Sequence, residues 1–249
     1  MPEQLLVIRA GPTEYDLAGR IRGSLPVPLA QPGVAAARLV AAELAASRPE
    51  ALYASRDAAA IEAARIVAAG CGVRLRRIEG LGNLDQGLWQ GMLVDDIRHK
   101  QPRLYRQWQD NPWAVAPPEG ELLEDACHRV ETALETIVRR HPTGRVAVVV
   151  PLPLDRIVRW IVSGRSMGDL WDGQPPGPAC EPLPLAAQWH SSRQASRTRQ
   201  RASGAEPLPG RAERPDDHGQ RRGAPVPGAC ACRPHRAAGR GLRAARRRR

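Results

Sequence analysis

Phenylalanine is absent from the 249-residue chain, lysine occurs only at Lys100, and there are six histidines. No run approaches the roughly eighteen apolar residues of a membrane-spanning helix, and the longest, 146–154, stops at Asp155. The N-terminus carries acidic Glu3 and lacks the basic opening of a secretory signal. The five cysteines, at 71, 127, 180, 230 and 232, form no Cys-x-x-Cys pair, so the sequence offers neither a disulfide framework nor a zinc ribbon. His218 and His235 flank Cys230-Ala-Cys232, a weak metal pattern without the usual ligand spacing. The expectation is a soluble protein in a reducing, cytoplasmic setting, without cofactor or resident metal.

Charge is present in excess but unevenly distributed. The chain holds 37 Lys+Arg against 26 Asp+Glu, a net +11. Residues 1–173 contain 21 basic and 21 acidic side chains, whereas residues 174–249 contain 16 and 5. That second segment has four Leu, one Val and one Trp, no Ile, Met, Tyr or Phe, and eleven Pro. It lacks the apolar area to offset ordering entropy, so the expectation is a folded domain over 1–173 and a disordered Arg/Pro/Gly-rich tail over 174–249. The tail suits nonspecific, salt-dependent polyanion contact. Its single aromatic, Trp189, supplies little base stacking, which ranks dedicated nucleic-acid recognition low. The same composition is what an out-of-frame reading of GC-rich DNA yields, and resequencing the 3′ part of the gene tests that origin.

In the body, apolar runs at 4–9, 51–55, 73–78 and 145–150 read as strands, and the β-branched run RVAVVV as the central one. Helical periodicity covers 29–47, 58–69, 122–140 and 154–162, and the Trp- and Pro-rich stretch 92–119 reads as a helical excursion. Alternation of strand and helix implies crossovers: an α/β three-layer sandwich with a mostly parallel central sheet. In such sheets chemistry sits beyond the carboxyl ends of the strands, here the loops after Arg9, Ser55, Ile78 and Val150.

Those loops carry a resemblance. LLVIRAGPTEYDLAGRIRGSLPVPLAQPG is similar to the opening R-H-G-E-T-x-x-N-x-x-G-R-x-Q-G of the histidine phosphatase superfamily, the phosphoglycerate mutase-like fold. YASRDAAAIEAA, LDQGLWQGM, PRLYRQWQDNPWAVAPPEGELLEDACHRV and VAVVVPLPLDRIVRWIV resemble its later segments in unbroken order over about residues 4–172. The resemblance implies a phosphohistidine mechanism: a nucleophilic imidazole, arginines and a second histidine around the phosphoryl oxygens, and an acidic Glu for the leaving group.

Each of those roles falls on a residue unable to perform it. The nucleophile position is Ala10, the second Arg is Ala59, with Arg56 the nearest arginine, the Glu is Asn83, and the second His is Leu152. No histidine occurs between His141 and His190, so a shift of alignment does not restore one. Arg9 remains, Asp16 replaces an Asn, Arg22 replaces a Gln, and Ser24 keeps a hydroxyl. Arg9, Arg22 and Ser24 are therefore the expected phosphate contacts, with Arg9 paired to Asp16 as the structural alternative.

Other side chains have ordinary readings. Asp16, Asp85 and Asp155 are replacement nucleophiles only if Mg²⁺ and further carboxylates converge on them. His99 and His128 read as surface or capping residues and His141 as a helix-dipole partner. Trp89, Trp108 and Trp113 read as packing for the excursion. The leading expectation is a catalytically inactive pseudophosphatase that binds a phosphorylated small molecule or a protein partner. One alternative is an active phosphomonoesterase or mutase with a non-histidine nucleophile. The other is a structural or interaction protein whose pocket is plugged by Pro151, Leu152 and Pro153.

Overall fold

The computed structural model describes residues 4–168, 170 and 179–185. Its centre is a five-stranded sheet made of β1 (Gln4–Arg9), β2 (Ala51–Ala54), β3 (Leu75–Arg77), β4 (Arg145–Val150) and β5 (Cys180–Pro184). The spatial order is β3-β2-β4-β1-β5, with β5 alone antiparallel, so RVAVVV is central as its β-branched run implies. The helices are α1 (Glu14–Leu17), α2 (Gln31–Leu44), α3 (Ala58–Cys71), α4 (Val94–Lys100), α5 (Pro102–Asp110), α6 (Leu123–Arg140) and α7 (Leu154–Ser163).

Strand alternation divides the interior in two. Leu5, Val7, Tyr53, Val146 and Val148 face a core shared with α6 and α7, while Leu6, Ile8, Leu52, Ala147 and Val149 face one shared with α2 and α3. Each large apolar side chain so buried contributes about 1.5–3 kcal/mol. The second core is built largely of alanine, including Ala37, Ala41, Ala60, Ala63 and Ala64, which lets α2 and α3 approach closely. Trp89 and Trp108 are buried in the first core, and Trp113 packs on Trp160 with ring centroids 5.2 Å apart, so the three tryptophans anchor the excursion as expected.

The edge strand corrects one expectation. β5 lies beyond the expected boundary at 173, so the folded unit reaches at least Leu185. The boundary at 173 rested on the low apolar content and many prolines beyond it, but an edge strand tolerates residues without an N–H such as Pro182 and Pro184, and Leu183 and Cys180 still reach opposite cores. Residues 171–178 and 186–249, including His218, His235, Cys230 and Cys232, lie outside the described residues. Among the described residues no helix is long and apolar enough to cross a membrane, and no group of His, Cys, Asp and Glu could hold a metal ion.

Candidate functional site

β1 delivers Arg9 and Ala10 to the carboxyl end of the sheet. Ala10 donates its N–H to Val150 O at 2.8 Å, and its methyl group is buried in the core of α2 and α3. The chain then turns through Gly11, where any Cβ would strike the Gly33 backbone at the start of α2. Thr13 caps α1 reciprocally: Asp16 Oδ2 accepts from Thr13 N and Oγ1, both at 2.7 Å, and Asp16 N donates to Thr13 Oγ1 at 3.3 Å.

Arg22 is the centre of the site. It follows the loop out of α1 and is only 4% exposed. Its Nη1 lies 3.0 Å from both carboxylate oxygens of Asp57, the N-cap of α3. Nη2 makes a long 3.4 Å bond to Leu152 O in the loop after β4. Nε sits 3.9 Å from Asp16 Oδ2 and makes no hydrogen bond. One guanidinium thus links the loops after β1, β2 and β4. The next residues, Gly23 and Ser24, are held by the third-strand loops: Gly23 O accepts from Asn83 Nδ2 at 2.8 Å, and Ser24 N and Oγ donate to Gln90 Oε1 at 2.5 and 2.9 Å.

Asn83 itself is 6% exposed, and its Oδ1 has no partner. Arg129 on α6 fixes this loop by donating to Gly80 O, Gly82 O and Asn83 O at 2.8, 2.7 and 3.0 Å, while a bidentate pair with Glu121 holds the arginine. Beside it lies a cleft of about 350 Å³ bordered by Ser24, Asp57, Glu79 and Asn83. A smaller cavity of about 90 Å³ is bordered by Asp16, Gln86, Leu152 and Pro153. Ala59 is fully buried, and Arg56, with its side chain 74% exposed, pairs with Glu79 at 2.9 Å on the border of the same cleft.

Arg9 belongs to a second cluster. Its Nη1 is 3.5 Å from Asp155 Oδ2 on α7, a partner other than the Asp16 of the structural alternative. Asp16 is instead engaged by Thr13 and approached by Arg22. Asp155 is fully buried and also lies 3.6 Å from Arg159, which pairs with Glu181 of β5; Arg165 joins the same glutamate. Burial pushes the Asp155 carboxyl above its ordinary range, opposed by Arg9, Arg159 and Arg156, and burial lowers the Arg159 pKa.

His141 departs from its expected role as a charged dipole partner. It is buried, its Nε2 is 3.0 Å from Tyr53 Oη, and burial together with Arg76 lowers its pKa, which favours the neutral ring. His99 and His128 are exposed, as expected. Of the residues envisaged as a hydrophobic plug, Leu152 and Pro153 border the smaller cavity, and Leu152 meets Arg22 through its carbonyl. The partners Asp57, Gln90, Arg159 and Glu181 were not legible as site residues. Asp57 carried only a capping signal before Ala58, and nothing linked it to an arginine 35 residues earlier.

The family description "Histidine phosphatase superfamily (branch 1)" matches residues 5–180. The chain therefore belongs to the histidine phosphatase superfamily. It is similar to phosphoserine phosphatase 1 of Hydrogenobacter thermophilus, with 27% identity over 168 residues, covering 68% of this chain and 80% of that protein. It is also similar to phosphoglycerate mutase-like protein 4 of Arabidopsis thaliana, with 31% identity over 153 residues, 59% of this chain and 65% of the relative. Among solved structures, Bacillus stearothermophilus YhfR superposes with a TM-score of 0.67 at 24% identity, covering 75% of this chain and 93% of that one. A mycobacterial glucosyl-3-phosphoglycerate phosphatase gives 0.61 at 21% identity, covering 68% and 83%. These two likenesses establish the α/β fold.

Proposed function

We propose that this chain is a catalytically silent member of its superfamily, a pseudophosphatase that acts by binding a phosphorylated ligand or a protein partner. The observation that carries the reading is Ala10: the position of the family nucleophile, directly after β1, is a buried methyl group with no lone pair. Its companions agree. Ala59 has no charge to offer a phosphoryl oxygen, Asn83 cannot exchange a proton near neutral pH, and Leu152 presents a carbonyl to Arg22. On this reading the anion contacts are Arg9, Arg22 and Ser24, which already hold Asp155, Asp57 and Gln90.

The names of the relatives support a second reading, phosphomonoesterase or mutase activity, which in this chain calls for a nucleophile other than Ala10. The carboxylates available to it are otherwise engaged. Asp16 is spent on Thr13, Asp85 accepts from Gly87 N at 2.9 Å, and Asp155 is fully buried.

The deciding experiment incubates the full chain with p-nitrophenyl phosphate, phosphoserine and 3-phosphoglycerate. The expected result is release of phosphate no faster than a blank. Hydrolysis that disappears on Asp16→Asn would overturn the silent-enzyme reading.

A further inference from the structure

Arg22 has more hydrogen-bonding capacity than its partner uses. Asp57 engages only Nη1, the contact of Nη2 with Leu152 O is long at 3.4 Å, and the buried Nε has no hydrogen-bond partner. A guanidinium binds an oxyanion best through two parallel N–H groups, and here the Nε/Nη2 edge has only the Asp16 carboxylate 3.9 Å from Nε and the Leu152 carbonyl 3.4 Å from Nη2, neither of them a bidentate partner. Asp57 is meanwhile at a position that favours negative charge. It caps the 14-residue helix α3, accepts the Ala60 N–H at 3.1 Å, and has a side chain only 3% exposed. The cleft of about 350 Å³ reaches Asp57 from outside, past Ser24 and Asn83, and has room for a tetrahedral oxyanion.

We propose that Asp57 is an internal occupant of an oxyanion site formed by Arg22 and the N-terminus of α3. It acts as an autoinhibitory carboxylate that a phosphate-class ligand must displace. The proposal rests on the silent-enzyme reading and adds to it the state of the binding site. A carboxylate fixed within the chain competes intramolecularly, at an effective concentration a free anion does not match, so the site is closed to dilute phosphate. Displacing Asp57 exposes the guanidinium and the Ala60 amide together.

The test is calorimetric titration of the full chain with inorganic phosphate at constant ionic strength, with thermal shift in parallel. Asp57→Asn keeps a capping oxygen and loses the charge. Asp57→Ser keeps a good cap in a shorter side chain and guards against failure of the first variant to fold. Both variants are expected to bind phosphate about tenfold or more tightly than the parent, and adding Arg22→Gln is expected to return affinity to the parental level. Equal affinity in the parent and both variants, or a gain that survives Arg22→Gln, overturns the proposal. Phosphate affinity is read independently of p-nitrophenyl phosphate turnover, so failure of the latch and failure of the silent-enzyme reading give different results.

Discussion

Two buried charge clusters lie at the same end of the sheet and solve the same problem differently. Around Arg22, the guanidinium meets the Asp57 carboxylate at 3.0 Å and the more distant Asp16 at 3.9 Å, and Asp57 also caps a helix. Around Asp155, a fully buried carboxylate is shared between Arg9 and Arg159 at 3.5 and 3.6 Å, and burial prevails over the arginines in setting its pKa. The compact cluster joins the loops after β1, β2 and β4, whereas the looser one joins β1, α7 and β5. In the second cluster the carboxylate is costly to ionise because burial outweighs its arginines, and the cluster chiefly aligns elements.

The largest effect that separates them is expected from Asp57→Ala. It removes a cap and leaves a buried guanidinium without its partner, a loss of about 3–4 kcal/mol in urea unfolding. Asp57→Ser should recover about 1 kcal/mol of this, the share belonging to the cap. Asp155→Asn is expected to cost less, about 1–2 kcal/mol, because removing its charge also removes its desolvation penalty. A larger loss for Asp155→Asn than for Asp57→Ala would reverse the comparison.

The pH dependence sharpens it. A carboxyl whose folded pKa lies above its ordinary 3.8 contributes stability that is fully present below that value and is lost as pH rises through the raised one. The stability of the parent relative to Asp155→Asn should therefore grow as pH is lowered toward 4, in urea titrations at a series of pH values. The smallest effect belongs to the exposed pair: Arg56→Ala should change stability by less than about 0.5 kcal/mol, since both side chains of Arg56–Glu79 are solvated.

Much of the frame was legible because periodicity is local. The runs at 4–9 and 145–150 are strands over those same residues, and the stripe through Val130, Leu134, Ile137 and Val138 is the buried face of α6. β5 was hidden because the stretch beyond 173 has low apolar content and many prolines, and only its position at the sheet edge makes Pro182 and Pro184 tolerable. His141 was misread for a related reason: its place at the end of α6 is visible in sequence, but the Tyr53 hydroxyl that meets it comes from β2.

The sequence by itself determined the superfamily pattern and the residue types at its loop positions, an alanine, an amide and a leucine among them, since these are read directly from the chain wherever the fold puts them. Which charges meet was decided only by tertiary structure. Arg9 has both Asp16 and Asp155 as conceivable partners along the chain, and Arg22 is 35 residues from Asp57. The parallel sheet brings the carboxyl ends of β1, β2 and β4 side by side, so residues remote in sequence share one desolvated space. In that space a charge must take the nearest opposite charge, and the arginines expected to hold phosphate hold this chain's own carboxylates.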